Sequence, residues 1–206
     1  MSTYPPHSKQ NKQSVYRVWH TDLFPAQEIK LALQSLIKED FCPDQQHLVV
    51  LCIGTDRSTG DALGPLTGTQ LTRMQTAPTA AVYGTLAAPV HAVNLAETII
   101  TISQRFADPY IIAIDACLGK NESVGAIDIG RGSLRPGAGV SKELPAVGNI
   151  YINGIVNVAG CLEYYVLQNT RLNLVFNLAE SIAQGISLLL PELPEIVTVS
   201  TNEAAR

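Results

Sequence analysis

His47-Leu-Val-Val-Leu-Cys-Ile-Gly54 is a continuous apolar run with the length of one β-strand. Continuity, rather than alternation with polar residues, is typical of a strand that is buried on both faces of a parallel sheet. A second run of this kind, Pro109-Tyr-Ile-Ile-Ala-Ile-Asp115, lies further along the chain. The two runs predict two central strands of a parallel sheet.

Working outward from these strands, the spacing of apolar residues predicts alternating helices and strands. Helices are predicted over 25–37, 61–74 and 91–106, a short strand over 81–84, two later strands over 124–129 and 149–155, and one or two helices within 158–190. Right-handed crossovers between parallel strands then place helices on both faces of one sheet. The predicted fold class is α/β, with three αβα layers around a mostly parallel, mixed sheet.

Composition and charge predict the domain organisation and argue against some classes of function. The chain has 206 residues, 46% hydrophobic and 16% charged, which predicts one domain over 15–198 between disordered tails, 1–14 and 199–206. The formal charge of -4 argues against nucleic acid as a partner. We see neither a signal-peptide core nor an apolar stretch long enough to span a bilayer, and the four cysteines form no C-x-x-C pair. We therefore expect a reduced, cytoplasmic protein without a membrane partner.

Two carboxylates follow the two predicted central strands. Ligands of open α/β sheets bind at the carboxyl ends of the strands, so Asp61, at a helix N-terminus, and Asp115, at a strand end, are expected to share one crevice. Two carboxyls in a partly desolvated site repel, which leaves one protonated as an acid and one ionised as a base. Such a pair activates water against an amide. The alternative is that Asp61 only caps its helix and Asp115 only binds a loop amide.

Several neighbours are candidates for binding substrate. The first loop offers backbone amides, and Arg57 would clamp a substrate carboxylate or form a surface ion pair. Glycines of the segment 135–140 would let a peptide approach closely, or merely form a surface turn. His91 is a candidate general acid or third metal ligand. The predicted substrate-binding residues are Gly54, Thr55, Asp56, Arg57, Ser58, Thr59, Gly60, His91, Gly137 and Gly139.

Other chemistries fit the sequence less well. A phosphate-binding loop requires Lys and then Ser or Thr after its last glycine, whereas Gly60 is followed by Asp61. Neither Cys117 nor Ser133 has a base that can be placed beside it, and Cys117 is expected to pack in the core. No cofactor is predicted.

Longer motifs carry a resemblance to a known family. The stretch 54–65, Gly-Thr-Asp-Arg-Ser-Thr-Gly-Asp-Ala-Leu-Gly-Pro, resembles the signature of the YyaC-type sporulation family, as do 83–86 and 89–95. Its Asp-Ala-Leu-Gly-Pro portion also resembles the first aspartate motif of the germination protease. The stretch 114–116 is similar to that enzyme's second aspartate motif, and 135–140 to one of its glycine-rich segments.

The resemblance implies a phosphorylase/hydrolase-like α/β domain, shared with the hydrogenase-maturation endopeptidases, and an atypical aspartic peptidase with Asp61 and Asp115 as its aspartates. It further implies a place in the forespore or spore core, with a protein or peptide substrate such as the small acid-soluble spore proteins. In the hydrogenase-maturation relatives, two acidic positions and a histidine hold a metal, but no histidine matches theirs after Asp115, so no metal is predicted.

Three hypotheses share this fold. The first is a metal-independent peptidase, in which loop amides over 54–60 stabilise the oxyanion. The second is a non-catalytic protein of sporulation that binds a peptide or small molecule in the same crevice. The third is a metal-assisted hydrolase that uses the two aspartates with His91. The oligomeric state is left open, a homo-oligomer included.

Overall fold

A computed structural model describes residues 15–74, 80–137, 144–160 and 162–193. The strands are β1 Val15–Trp19, β2 His47–Cys52, β3 Ala81–Tyr83, β4 Pro109–Gly119, β5 Ala126–Arg131 and β6 Ile150–Val158. The helices are α1 Pro25–Ile37, α2 Leu63–Met74, α3 Leu95–Arg105, α4 Glu163–Gln168 and α5 Leu172–Leu189. The predicted disordered tails, 1–14 and 199–206, lie outside the described residues, so that prediction remains open.

The six strands form one mixed sheet in the order β1-β5-β6-β4-β2-β3. Strands β3, β2, β4 and β6 run parallel, while β5 is antiparallel to both β6 and β1. The predicted α/β class with a mostly parallel, mixed sheet is confirmed. Strand β1 was not predicted, because it is short, lies at the sheet edge and pairs with a strand more than a hundred positions away, from Val15 opposite Gly130.

Helices cover both faces of the sheet. On one face, α1, α2 and α5 pack against the sheet through one large apolar cluster, in which Ile29, Leu33, Leu178, Ile182 and Ile186 are fully buried. On the other face, α3 packs through a smaller cluster that contains its own Leu95 and Ile102 with Val49, Leu51 and Ile111 of the sheet. Neighbouring positions of β2 and β4 thus face opposite clusters, which explains their continuous apolar runs.

A crevice forms where the chain leaves the sheet in two directions. After β2 the chain passes through α2 to β3, on one side of β2, whereas after β4 it continues to β5 and then β6, both on the other side. The N–H of Ile53 donates to the carbonyl of Ile114 at 2.7 Å, and β2 diverges from β4 beyond that bond. Asp115 therefore follows the last residue of β4 that β2 covers. This is a topological switch point, the usual place of a ligand site in such sheets.

One wall of this crevice is held against the sheet at close range. A Cβ atom added to Gly64, at the start of α2, would lie 2.1 Å from the carbonyl oxygen of Ile53. Only glycine therefore allows the helix to approach the strand end so closely. The close approach fixes the first turn of α2, and with it the preceding turn that carries Asp61.

The segment Leu172–Glu192, α5 with its following turn, is long and apolar enough to cross a membrane by length and composition. No such stretch was predicted from the sequence, because polar residues interrupt the apolar run of this segment. More than half of the most apolar window, 56%, is buried inside the fold. Core helices of this kind have the same length and composition, and the buried side chains of α5 cover the sheet.

Candidate active site

Asp61 lies in a short 3-10 turn, Gly60–Ala62, that leads into α2. Its carboxylate does not cap the helix that follows. Instead, the N–H of Thr55 donates to Asp61 Oδ2 at 2.9 Å and to the Asp61 carbonyl at 3.2 Å, which closes the loop between β2 and α2. Asp61 Oδ1 has no hydrogen-bond partner among the described residues, so half of the carboxylate is available to a ligand.

Asp115 lies on β4 at the crevice and is only 7% exposed. The sequence placed it at the strand end, but β4 continues along β6 to Gly119, because β6 pairs with β4 beyond the point where β2 diverges. The N–H of Ala116 donates to Asp115 Oδ1 at 2.8 Å, and the N–H of Gly137 donates to the same carboxyl. The carboxyl is thus held in place by two backbone amides.

The two carboxyls affect each other's ionisation. Burial raises the pKa of Asp115 well above its usual range, the negative charge of Asp61 raises it further, and the two amide donors act in the opposite direction. Burial also raises the pKa of Asp61, against the Thr55 N–H and the charge of His91. Because Asp115 is the more deeply buried, the shared arrangement favours a proton on Asp115 and a charge on Asp61.

Both aspartates line one cleft with a volume of about 550 Å³. The cleft also contains most of the predicted binding residues, namely Gly54, Thr55, Asp56, Arg57, Ser58, His91 and Gly137. Thr59 and Gly60 do not line it. A Cβ on Gly60 would lie 2.8 Å from the side chain of Leu167, so this glycine serves the packing of α4. Gly139 lies outside the described residues.

His91 lies in a turn before α3, four residues earlier than the helix begins. The sequence predicted a helix from His91, but Asn94 forms side-chain hydrogen bonds back to the turn, accepting from the His91 N–H at 2.8 Å and donating to the Pro89 carbonyl at 3.0 Å. The Val93 N–H lies 3.3 Å from His91 Nδ1, to which it donates, so Nε2 is the ring nitrogen without a partner in the turn. The imidazole lines the cleft beside Asp61.

The mouth of the cleft combines charge with apolar surface. Arg57 and Arg135 are exposed and line the cleft, and neither forms an ion pair within the described residues. The apolar part of the lining includes Val93, 82% exposed, and Tyr164, 58% exposed. An extended peptide bound there would contact both the positively charged and the apolar side chains.

Cys117 also lines the cleft and is half-buried, so the prediction that it packs in the core is wrong. It follows Asp115 by two residues on β4, beyond the end of β2, where only β6 pairs with β4. Burial, assisted by Asp115, raises the pKa of its thiol to about 12. Ser133 is exposed and donates to the Gly148 carbonyl at 3.1 Å, outside the cleft.

Asn153 was not singled out from the sequence, yet it lines the same cleft. It lies on β6 directly opposite Asp115 on β4. The sequence offered little signal, because Asn153 is one of two asparagines in β6, and the strand residue that each one faces depends on pairing that is remote along the chain.

A metal centre fits these residues poorly. Among residues 15–74, 80–137, 144–160 and 162–193, no three His, Cys, Asp or Glu side chains are grouped closely enough to hold a metal ion. Asp61 and Asp115 with His91 therefore do not form the three-ligand set that a catalytic metal requires.

Comparisons with known proteins agree with this description of the fold. A family described as "Protein of unknown function (DUF1256)" matches residues 21–185. The chain belongs to this family. A DUF1256-type relative, "Uncharacterized protein YyaC" of Bacillus subtilis strain 168, is 52% identical over 181 residues, which cover 88% of this chain and 86% of the relative. The resemblance to the YyaC-type family is thus confirmed.

A solved structure extends the comparison beyond the DUF1256 family. The [NiFe] hydrogenase maturation protease HycI from Thermococcus kodakarensis KOD1 aligns with a TM-score of 0.50 at 17% identity, over 77% of this chain and 98% of that one. The likeness concerns the fold alone, and it supports the predicted relation to the fold of the hydrogenase-maturation endopeptidases.

Proposed function

We propose that this protein is a peptidase of sporulation or germination, in which Asp61 and Asp115 hydrolyse a peptide bond without a metal. Its substrates are proteins or peptides, with the small acid-soluble spore proteins as the first candidates, and it acts in the cytoplasm of the forespore or spore core. The motifs shared with the germination protease and the likeness to the fold of a maturation protease support this assignment.

The observation that carries the proposal is the meeting of two unequal carboxyls in one open cleft. Asp61 keeps an oxygen free, and Asp115 is buried with a strongly raised pKa. An acid and a base of this kind are needed together when an amide is attacked by water. Neither a helix cap nor a simple loop anchor requires two carboxyls within electrostatic reach of each other.

The reaction begins from the state in which Asp61 is ionised and Asp115 is protonated. Asp61 takes a proton from a water molecule as the water oxygen attacks the peptide carbon, and Asp115 gives its proton to the carbonyl oxygen. The tetrahedral intermediate then breaks its C–N bond. Asp61 gives its proton to the leaving nitrogen, and Asp115 recovers a proton from one hydroxyl. Water and an amide are converted into a carboxylic acid and an amine, and both aspartates return to their starting states.

Cleavage of small acid-soluble spore proteins by the purified protein tests the proposal. We expect Asp61→Asn and Asp115→Asn each to lower kcat by about 10²–10⁴-fold, because each removes one proton-transfer partner. Asp44→Asn is the matched control, since Asp44 is exposed and precedes β2 at the opposite edge of the sheet. A chelator should leave the wild-type rate unchanged.

The outcomes separate the three hypotheses. Loss of cleavage in both variants with no chelator effect supports the peptidase. Cleavage abolished by chelator and restored by a divalent ion would instead favour a metal-assisted hydrolase. If the wild type binds these proteins but releases no fragments, a non-catalytic binding protein is the better description.

A further inference from the structure

Asn153 occupies the position between two carboxylates on one face of the sheet. In the strand register it is opposite Asp115 of β4 on one side and opposite Asp128 of β5 on the other. Directly paired residues project from the same face, and neighbouring strands lie about 4.8 Å apart. Its neighbours Ile152 and Gly154 belong to the opposite, fully covered face. The carboxamide of Asn153 therefore stands beside the Asp115 carboxyl in the cleft.

The two flanking carboxylates already have partners, whereas the amide has none among the residues that the structure describes. Asp128 accepts from Arg17 Nε at 2.6 Å and from Arg17 Nη2 at 2.7 Å, and Asp115 accepts from two backbone amides. Asn153 forms no side-chain hydrogen bond to any residue of the described ranges. By contrast, Asn157 on the same strand donates to the Val166 carbonyl and to Thr170. Asn153 thus keeps two N–H donors for a molecule in the cleft.

Amide hydrolysis needs such donors where negative charge develops on the carbonyl oxygen. The sequence assigned this task to the amides of the loop 54–60, but several of them are used internally. The Gly54 N–H donates to the Val90 carbonyl at 2.7 Å, the Thr55 N–H to Asp61, and the Arg57 N–H to Thr55 Oγ1 at 3.3 Å. Those three amides are not available to a developing oxyanion, whereas the side of the cleft formed by β4 and β6 offers the side-chain donors of Asn153.

We propose that Asn153 is a further catalytic residue, whose Nδ2–H donates to the carbonyl oxygen of the scissile peptide bond next to the Asp115 hydroxyl. This inference rests on the proposed peptidase function and adds a residue to it. In the first step Asn153 holds the oxygen that receives the Asp115 proton, and it neither gains nor loses a proton itself. A neutral amide suits this position, because a carboxylate there would be repelled by the charge of Asp128 and would offer no donor to the oxygen.

The test compares three variants with the wild type in cleavage of small acid-soluble spore proteins. Asn153→Ala removes the carboxamide, Asn153→Asp keeps its shape but replaces the donors with a charge, and Asn153→Gln keeps the donors on a longer stem. Tyr151→Phe is the matched control, since Tyr151 lies two residues earlier on the same face of β6 and outside the cleft. Thermal unfolding of each variant establishes that it is folded.

We expect Asn153→Ala and Asn153→Asp to lower kcat by about 10²–10³-fold, the usual cost of removing one oxyanion donor, with a much smaller change in KM. Asn153→Gln should recover part of the loss, and Tyr151→Phe should retain the wild-type rate. Folded Asn153→Ala with an unchanged kcat overturns the inference while leaving the peptidase intact. A wild type that cleaves no substrate overturns the peptidase and this inference together.

Discussion

The backbone N–H of Thr55 donates to the side-chain Oδ2 of Asp61 at 2.9 Å and to its main-chain carbonyl at 3.2 Å. One amide thereby fixes both the position of the carboxylate and the closure of the loop that carries it. The geometry depends on the preceding residue, Gly54, whose φ of +140° is rarely adopted by residues with a side chain.

Substitution of Gly54 should therefore disturb both stability and activity. In Gly54→Ala the new Cβ would lie 2.0 Å from the Asp61 carbonyl oxygen, so the loop must move. We expect a loss of about 1–3 kcal/mol in the free energy of unfolding, measured with urea, and a fall in kcat. Gly160→Ala is the control, since its Cβ meets nothing within 4 Å, and should stay within about 0.5 kcal/mol of the wild type. Equal stability of the two variants would contradict this account of the loop.

Asp115 should make the folded protein less stable as pH rises. Because its pKa is raised on folding, the unfolded state releases the proton first, and folding stability declines between the usual aspartate pKa and the raised one. Asn resembles the protonated acid, so Asp115→Asn should be more stable than the wild type at neutral pH. Each tenfold decrease in the acid dissociation constant of Asp115 on folding adds about 1.4 kcal/mol to the stability difference between Asp115→Asn and the wild type.

The measurement is the free energy of urea unfolding for wild type and Asp115→Asn between pH 3.5 and pH 8, an interval that begins near the usual aspartate pKa of about 3.9. The difference between the two proteins should be small at the acidic end, grow with pH and level off above the raised pKa. The exposed Asp44→Asn serves as the comparison. A difference that shrinks as pH rises would show that the Asp115 carboxylate is stabilised rather than penalised by folding.

His91 should set the acid limb of the pH–rate profile. Its charge lowers the pKa of Asp61, the group that must be ionised to act as base. In His91→Gln, the acid limb of kcat/KM should shift to higher pH, while the alkaline limb, which reports loss of the Asp115 proton, should move less. The profile of wild type and variant is measured on the same substrate over the same buffers. An unmoved acid limb would remove His91 from the electrostatics of the site.

Cys117 should be dispensable for cleavage although it lines the cleft. The thiolate is the reactive form of cysteine, and burial raises the pKa of this thiol to about 12. We expect Cys117→Ser to cleave small acid-soluble spore proteins with a kcat/KM close to that of the wild type. A loss as large as that of Asp61→Asn would instead identify Cys117 as a nucleophile.

The central part of the fold could be predicted because its signals are local. The apolar runs of β2 and β4 and the helical spacing of α1, α2 and α5 each appear within one segment. Topology then placed Asp61 and Asp115 near each other, since Asp61 follows β2 and Asp115 lies on β4 just beyond the end of β2. The start of α3 was predicted too early, because the turn before it depends on side-chain bonds of Asn94 that spacing does not reveal.

Features that depend on pairing between distant segments could not be predicted. Strand β1 forms by pairing with β5, with Arg17 opposite Asp128. The antiparallel direction of β5 is likewise seen only in its pairing with β1 and β6. The place of Asn153 beside Asp115 depends on the register of β6 against β4. A shift of one residue would turn the carboxamide to the other face. The alternation within β6 indicates which of its side chains share a face, but it does not show which residue of β4 each one is paired with.

The close approach of α2 to the end of β2 has a consequence for how relatives of this protein can diverge. A wall in which even a methyl group at Gly64 would strike the Ile53 carbonyl cannot be reshaped by small steps. The mouth of the cleft, with exposed Val93 and Tyr164, has no such constraint. Selection for a new target would therefore act on the residues at the mouth of the cleft. Orthologues that prefer different substrate sequences would then keep the same pair of aspartates and differ at the mouth.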